Sequence, residues 1–439
     1  VSKKTQIVIV GGGAGGLELA RRLGARYGRK NHDIILVDRN RSHIWKPLLH
    51  EVAAGSLDAN MDEVGYGGHG ARWGYRFFNG TLEGIDREKR EIITAPMVDA
   101  DGNEIIGRHH IRYDYLVLAL GGVSNTFGVD GVEDHCLFLE TRDQADAFRA
   151  KLLNLCLRVS HISETTSERP SVRICIVGGG ATGVELAAEL FNAAESLKHY
   201  GLEVFDASRL TVTLLEAGPR ILPALPEKLA NAARDELAER GVAVLTDAQV
   251  SKVEQGAVHT KDGKTIKADL TVWAAGVKGH ELLRTLDGLE VDRADRLKVR
   301  PTLETTLDDR IFAIGDCCSF IQEGEDRPVP PRAQAAHQMA TSVYTNLTAL
   351  MAGRDARELK PFVYQDHGSL VTLSRFSTVG SLMGNLIGGR MAIEGRLARL
   401  AYLSLYRMHL LAIHGWLRGT GTIIVNQINQ IVRPKLKVH

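Results

Sequence analysis

Apolar positions along the chain form a pattern that occurs twice: a short unbroken run, a cluster of glycines, then apolar residues at helical spacing. Residues 7–10 read IVIV, and after the glycines Leu17, Ala20 and Leu23 continue at the period of a helix. Residues 174–177 read ICIV, followed in the same way by Val184, Ala187 and Leu190. Set at an offset of 167, IVIVGGGAGGLELARRL (7–23) and ICIVGGGATGVELAAEL (174–190) agree at 12 of 17 positions. Each copy predicts strand, tight turn and helix, and each is followed by a second apolar run ending in an acid, IILVDRN (34–40) and VTLLEAG (212–218).

The remaining pattern fills in around these copies. FFNGTLEGIDREKREIIT (77–94) alternates and turns like a hairpin, and YDYLVLALGG (113–122) reads as a strand ending in small residues. TRDQADAFRAKLLNLCLRVS predicts a helix ending near residue 160, before a polar linker at 161–171. DLTVWAAG (269–276) mirrors LVLALGG, so Gly121 and Gly276 are expected at strand ends where a glycine makes room for a bound group; a plain strand-terminal glycine remains the alternative. HYGLEVFDAS reads as a loop inserted between helix and strand, because Glu216 follows Gly183 by 33 residues where Asp38 follows Gly16 by 22.

Strand, GxGxxG, helix, strand and acid in this order are what a dinucleotide pyrophosphate requires. Gly11 and Gly178 make the turn, Gly13 and Gly180 let the backbone approach the phosphates, and Gly16 and Gly183 allow helix to pack on strand. The helix start then offers free N–H groups and a positive dipole end. Asp38 and Glu216 are expected to accept from ribose hydroxyls, which favours NADH over NADPH at the second copy, with Arg220 close enough to leave that open. The fold class is therefore α/β with two Rossmann-like dinucleotide-binding domains.

Charge divides the chain unequally. There are 54 Lys and Arg against 53 Asp and Glu, a net charge of +1, so a basic body for nucleic acid is not expected. Residues 390–439 carry +7 of that total, leaving −6 on the first 389. On a helical wheel begun at Arg396, Arg399, Arg407, His414 and Arg418 fall within an arc of about 100°, with Leu405, Met408, Ala412 and Trp416 opposite. That is the pattern of a helix lying in a lipid interface, although His409 sits on the apolar side. Ile424, Ile428 and Ile431 form a second helical stripe; packing of both segments on the protein body or on a second subunit is the alternative. No uninterrupted apolar run is long enough to span a bilayer, and the start VSKKTQ is no signal peptide. Five cysteines without a CxxC suggest a reducing compartment, no disulfide framework and no metal site.

At 311–316 stands IFAIGD, similar to the segment with which two-domain flavoproteins return to their first domain, with Asp316 as ligand of the flavin's ribityl chain. In PVPPRAQAAHQMA the prolines suit a helix start at Arg332, and Gln334 and Gln338, at i and i+4, share one face. Two neutral amides there suit a carbonyl-bearing acceptor.

Together with these, WKPLLHEVAAGS (45–56), GGGATGVELAAEL, WAAG, AIGDC, DHGSLVTLS (366–374), FSTVGSLMGN (376–385) and SLYRMHLLAIHG (404–415) resemble bacterial type II NADH:quinone oxidoreductases, essentially end to end. The resemblance implies a tightly but non-covalently bound FAD, NADH as substrate, a membrane quinone as acceptor, and no proton pumping. It places Gly11, Gly13, Ala14, Gly15, Gly16, Asp38, Arg39, Lys46, Gly121, Asp316 and Ala333 on the flavin side. Gly178, Gly180, Gly183, Glu216 and Gly276 fall on the NADH side, Glu185 beside the nicotinamide, and Gln334 and Gln338 at the quinone. Glu18, the counterpart of Glu185, keeps open that an acid here merely complements the helix dipole. His337 and His367 are further candidates as proton donors.

The implied organisation is an FAD-binding domain in two parts, 1–122 and 291–360, a connecting helix and linker at 123–170, and an NADH-binding domain at 171–290. Residues 361–439 would form a membrane-association and dimerisation region, with 396–439 on the bilayer surface of the cytoplasmic face of a bacterial inner membrane, and a homodimer. Two rivals remain: a sulfide:quinone or other flavin reductase using Cys156 with Cys317 or Cys318, and a non-respiratory NADH-binding redox sensor.

Overall fold

The computed structural model describes residues 4–28, 32–57, 63–99, 101–166, 170–197, 207–372, 378–384, 389–394 and 406–432. The chain forms two compact units. The first comprises 1–45, 63–123 and 277–365, and the second 46–62, 124–276 and 366–439.

The first unit is built on a six-stranded sheet. Its order is Glu304–Thr305, Asp308–Ala313, Tyr115–Leu118, Thr5–Val10, His32–Asp38 and Arg76–Asn79. All neighbours are parallel except the edge pair Glu304–Thr305 with Asp308–Ala313. A parallel sheet is covered on both faces, which is why Ile7, Val8, Ile9, Leu36, Leu116 and Phe312 read as unbroken apolar runs and are fully buried. The first-copy helix, Ala14–Leu23, and the later helix Ala333–Met351 pack together in this unit.

The second unit repeats the plan with four parallel strands in the order Val242–Leu245, Leu210–Leu215, Val172–Val177 and Leu270–Trp273. Its helices include Ala181–Leu197, the short Leu49–Ala54 and the long Arg142–Thr165. A three-stranded antiparallel sheet of Gly368–Thr372, Thr378–Gly384 and Gly389–Glu394 belongs to it as well.

Two local expectations change. Within FFNGTLEGIDREKREIIT the hairpin joins Leu82–Asp86 to Glu91–Thr94, while Phe77 to Asn79 run parallel in the main sheet. The helix after Thr141, opened by a capping box with Gln144, runs to Thr165 and absorbs the start of the expected linker. There the Thr165 and Thr166 hydroxyls donate back to the carbonyls of His161 and Ile162, closing the last turn. The inserted loop HYGLEVFDAS lies outside the described residues up to Asp206; Ala207–Arg209 is a 3-10 turn leading into the strand.

Candidate functional site

In the first unit the glycine turn is dictated by close backbone approaches. Gly11 has φ +104°, and a β-carbon there would lie 2.2 Å from the Ala119 carbonyl oxygen. One on Gly16 would lie 1.9 Å from the Gly11 oxygen. Gly13, by contrast, faces open space, with no neighbouring atom within 4 Å of such a carbon. It caps helix Ala14–Leu23 without a side-chain hydrogen bond and with no acid in the first turn. An open cradle at a free helix start fits a phosphate group. Gly15 serves packing, since a β-carbon would come 2.9 Å from the Ala336 carbonyl oxygen.

Asp38, Gly121 and Asp316 lie at or just beyond the carboxyl ends of parallel strands of this sheet. Asp38 accepts from the Gly12 N–H at 2.6 Å and the Asn40 N–H at 2.7 Å. Burial raises its carboxyl above the usual range, opposed by those N–H donors. Gly121, φ +71°, follows strand Tyr115–Leu118. A β-carbon on the adjacent Gly122 would lie 3.3 Å from Asp316 Cβ, which sets Asp316 beside this strand end in the turn Gly315–Cys317. Arg39 is exposed beyond Asp38, and Ala333 opens the helix Ala333–Met351.

The second unit reproduces the cradle. Gly178 has φ +114°, Gly183 would meet the Gly178 oxygen at 2.0 Å, and Gly180 faces open space. Glu216 accepts from the Gly179 N–H at 2.8 Å and the Gly218 N–H at 2.7 Å. Arg220 donates to the carbonyls of Leu225 at 2.8 Å and Pro223 at 3.1 Å, so its guanidinium is engaged in the following loop. Gly276, φ +67°, clears the Phe127 ring, which a β-carbon would approach to 2.6 Å.

Glu185 is buried on helix Ala181–Leu197, its Oε2 3.6 Å from His50 Nδ1. Burial pushes His50 down to about 4, against the opposing Pro47 carbonyl, so its imidazole is neutral near pH 7. One turn on, the buried Glu189 meets the Ser56 hydroxyl and the Asn192 amide. Sequence reasoning missed His50, Ser56 and Glu189. The available signal was a pair of acids at i and i+4 among the apolar residues of this helix, which burial obliges to find polar partners.

On helix Ala333–Met351, Gln338 is committed to the backbone of Gln365: Nε2 donates to its carbonyl at 2.7 Å and Oε1 accepts from its N–H at 2.9 Å. Gln334 lies half-buried one turn earlier. His337 pairs with Glu18, whose carboxylate is buried and also meets Arg22 at 3.2 Å. Glu18 therefore joins two helices instead of complementing a helix start. Lys46, in the second unit, is exposed at the beginning of the turn Lys46–Leu48, and His367 is exposed as well.

All five cysteines are buried free thiols. Burial pushes Cys156 and Cys317 up to about 12 and Cys318 well above the ordinary thiol range. Among the described residues no group of three or more His, Cys, Asp or Glu is placed to hold a metal ion.

The tail is not one continuous helix. Residues 406–414 are helical, Gly415 takes φ +73°, and a new helix, Trp416–Val432, begins. A left-handed glycine ends a helix and redirects the chain, so Trp416 and Arg418 leave the wheel on which they were placed. Arg396, Arg399 and Leu405 lie outside the described residues. His409, Leu410 and Ile413 are buried, whereas Met408, Trp416, Leu417, Ile424 and Val425 are exposed. His409 thus faces the protein. Among the described residues no helix is long and apolar enough to cross a membrane.

Comparison with known proteins accords with this geometry. Residues 5–340 match the pyridine nucleotide-disulphide oxidoreductase family. The type II NADH:quinone oxidoreductase of Haemophilus influenzae is 46% identical over 99% of both chains. That of Staphylococcus aureus is 31% identical over 89% of this chain and 92% of its own. Among solved structures, NDH2 from Plasmodium falciparum in complex with NADH superposes with a TM-score of 0.80 at 19% identity, covering 99% of this chain and 100% of that one. The sulfide:quinone oxidoreductase of Aquifex aeolicus does so at 0.71 and 18% identity, covering 98% and 95%. At those identities the structures speak for the fold alone. The chain belongs to the pyridine nucleotide-disulphide oxidoreductase family and, by its curated relatives, to the type II NADH:quinone oxidoreductases.

Proposed function

We propose that this chain oxidises NADH and reduces a membrane quinone by two electrons through a non-covalently bound FAD, without transporting protons across the membrane. The observation that carries the reading is the doubled cradle: an open glycine at a helix start with an acid tethering the glycine before it, once in each unit. A flavin held there would supply a hydride acceptor for the nicotinamide and a two-electron donor for the quinone.

The chain's own part is binding and orientation. Gly11, Gly13, Ala14, Gly15, Gly16, Asp38, Arg39, Lys46, Gly121, Asp316 and Ala333 are assigned to the FAD, with the phosphates over Gly13. Gly178, Gly180, Gly183, Glu216 and Gly276 are assigned to NADH, and Glu216 disfavours a 2′-phosphate by charge. Glu185 stands beside the nicotinamide. Gln334 and Gln338 orient the quinone carbonyls, and Gln338 does so while holding the Gln365 backbone. The exposed Met408, Trp416, Leu417, Ile424 and Val425 support attachment to the cytoplasmic face of a bacterial inner membrane, and the protein acts as a homodimer.

The buried free thiols weigh against sulfide chemistry, because sulfide is itself the nucleophile and needs an accessible disulfide to attack. Steady-state assays with a short-chain quinone test the reading. NADH should support turnover, while NADPH and sulfide do not, and the cofactor released on denaturation should have the mass of FAD. Turnover with sulfide, or no turnover with NADH, would overturn it.

A further inference from the structure

The two glycine turns are held differently. In the first, the carbonyl oxygen of Gly12 receives two side-chain hydrogen bonds, from the Tyr66 hydroxyl at 2.7 Å and from His43 Nδ1 at 2.9 Å. A carbonyl only accepts, so Nδ1 carries the proton. On its other side the same peptide unit is tied through the Gly12 N–H to Asp38 at 2.6 Å. The Tyr66 ring lies against the glycine so closely that a β-carbon at position 12 would fall 2.4 Å from it.

Tyr66 is itself fixed. It is 2% exposed and His43 4%. Its N–H donates to the Arg41 carbonyl at 3.0 Å, its carbonyl accepts from the Tyr75 hydroxyl at 3.3 Å, and its ring tilts against Phe77 at 5.1 Å. Burial raises its phenol well above the ordinary value, so the hydroxyl remains a donor throughout the working pH range.

In the second turn, the equivalent Gly179 N–H is likewise tied to an acid, Glu216, at 2.8 Å. Its carbonyl, however, accepts from the backbone N–H of Leu222 at 2.7 Å, and the closest atom to a β-carbon there would be Ile221 Cγ2 at 2.8 Å. The support comes from a nearby loop, and the side chains nearest the turn are those of Ile221 and Glu216.

We infer that Tyr66 and His43 are positioning residues that lock the first turn around a nucleotide that stays bound, while the loop-supported second turn serves a nucleotide that exchanges. This rests on the proposed assignment of flavin to the first turn and NADH to the second. A turn already fixed before binding aims its N–H groups at the pyrophosphate without further ordering, and that lowers the rate of release. The partner chemistry is the same at both turns; what differs is the rigidity of the cradle.

The test is flavin retention. Tyr66→Phe keeps the ring and removes only the hydroxyl, and the flavin should dissociate about tenfold faster, the loss expected for one buried hydrogen bond. Dissociation is read from the rise of free-flavin fluorescence after dilution, beside the affinity for NADH by titration calorimetry, which should not change. His43→Leu should release flavin faster, and His43→Gln, which retains a donor, should restore retention; this pair keeps the test decisive if Tyr66→Phe fails to fold. Flavin retention equal to wild type in Tyr66→Phe and His43→Leu, with only a lower melting temperature, would overturn the inference alone. A wild-type protein carrying no flavin would overturn the functional reading and the inference with it.

Discussion

Glu18, buried on the helix that follows the first glycine turn, pairs directly with His337 on the helix that carries Gln334 and Gln338. The pair belongs to a polar seam. Gly15 admits the Ala336 backbone, Arg22 donates to Thr341 at 2.7 Å and lies 4.2 Å over the Tyr344 ring, and Arg26 donates to the Tyr344 hydroxyl at 3.3 Å. These contacts follow one another along both helices and fix their axial register, hence the position of the two glutamines relative to the turn. His337→Leu strands a buried carboxylate and should cost about 3 kcal/mol, since Arg22 still holds the other oxygen. The double variant Glu18→Leu, His337→Leu should cost less than His337→Leu alone. Urea midpoints read both, and a double variant that costs more than His337→Leu would mean that the two residues are not coupled.

On the proposed assignment Gln338 has two duties, toward the quinone and toward the Gln365 backbone. Gln338→Ala removes the amide from the acceptor and also frees the Gln365 backbone. Gln338→Glu keeps the acceptor oxygen for the Gln365 N–H and loses the donor to its carbonyl. Flavin reoxidation by quinone should slow at least about tenfold in both, as for a lost buried hydrogen bond. Flavin reduction by NADH should stay near wild type. Rapid mixing separates the half-reactions; equal slowing of both would remove Gln338 from the acceptor site.

His50 makes stability depend on pH with a definite sign. Its folded value, about 4, lies below the ordinary 6.5, so the unfolded chain binds a proton through this interval that the folded chain refuses. Stability is therefore full above about pH 6.5 and falls on acidification toward pH 4, by about 3 kcal/mol in all. The melting temperature of His50→Gln should change less between pH 7.5 and pH 5 than that of wild type. An identical slope in both would show that His50 does not titrate as its burial requires.

The thiols should be dispensable. With Cys156, Cys317 and Cys318 buried and their thiols pushed up, the triple variant Cys156→Ala, Cys317→Ala, Cys318→Ala should retain NADH to quinone turnover within about threefold, the losses being those of packing. Abolished turnover, measured on variant protein that still carries its flavin, would restore the sulfide-type reading.

Much of this was legible along the chain because its causes are local. The two glycine turns follow from spacing alone: Gly11 and Gly178 need positive φ, and Gly16 and Gly183 need a missing β-carbon. The acids Asp38 and Glu216 were also legible, though their grip on Gly12 and Gly179 was not. What escaped depends on partners distant in sequence. Nothing near Glu18 announces His337, 319 residues away, nor does the stretch around His50 announce Glu185. The tail failed for a different reason. A helical wheel assumes unbroken geometry, and Gly415 in the left-handed region ends one helix and starts another.

The most direct measurement is anaerobic stopped flow on the purified holoprotein. On mixing with one equivalent of NADH, the flavin absorbance should bleach in a single rapid phase, and on second mixing with a quinone it should return fully. Failure of NADH to bleach the flavin, or a reduced flavin that quinone leaves unchanged, would contradict the assignment.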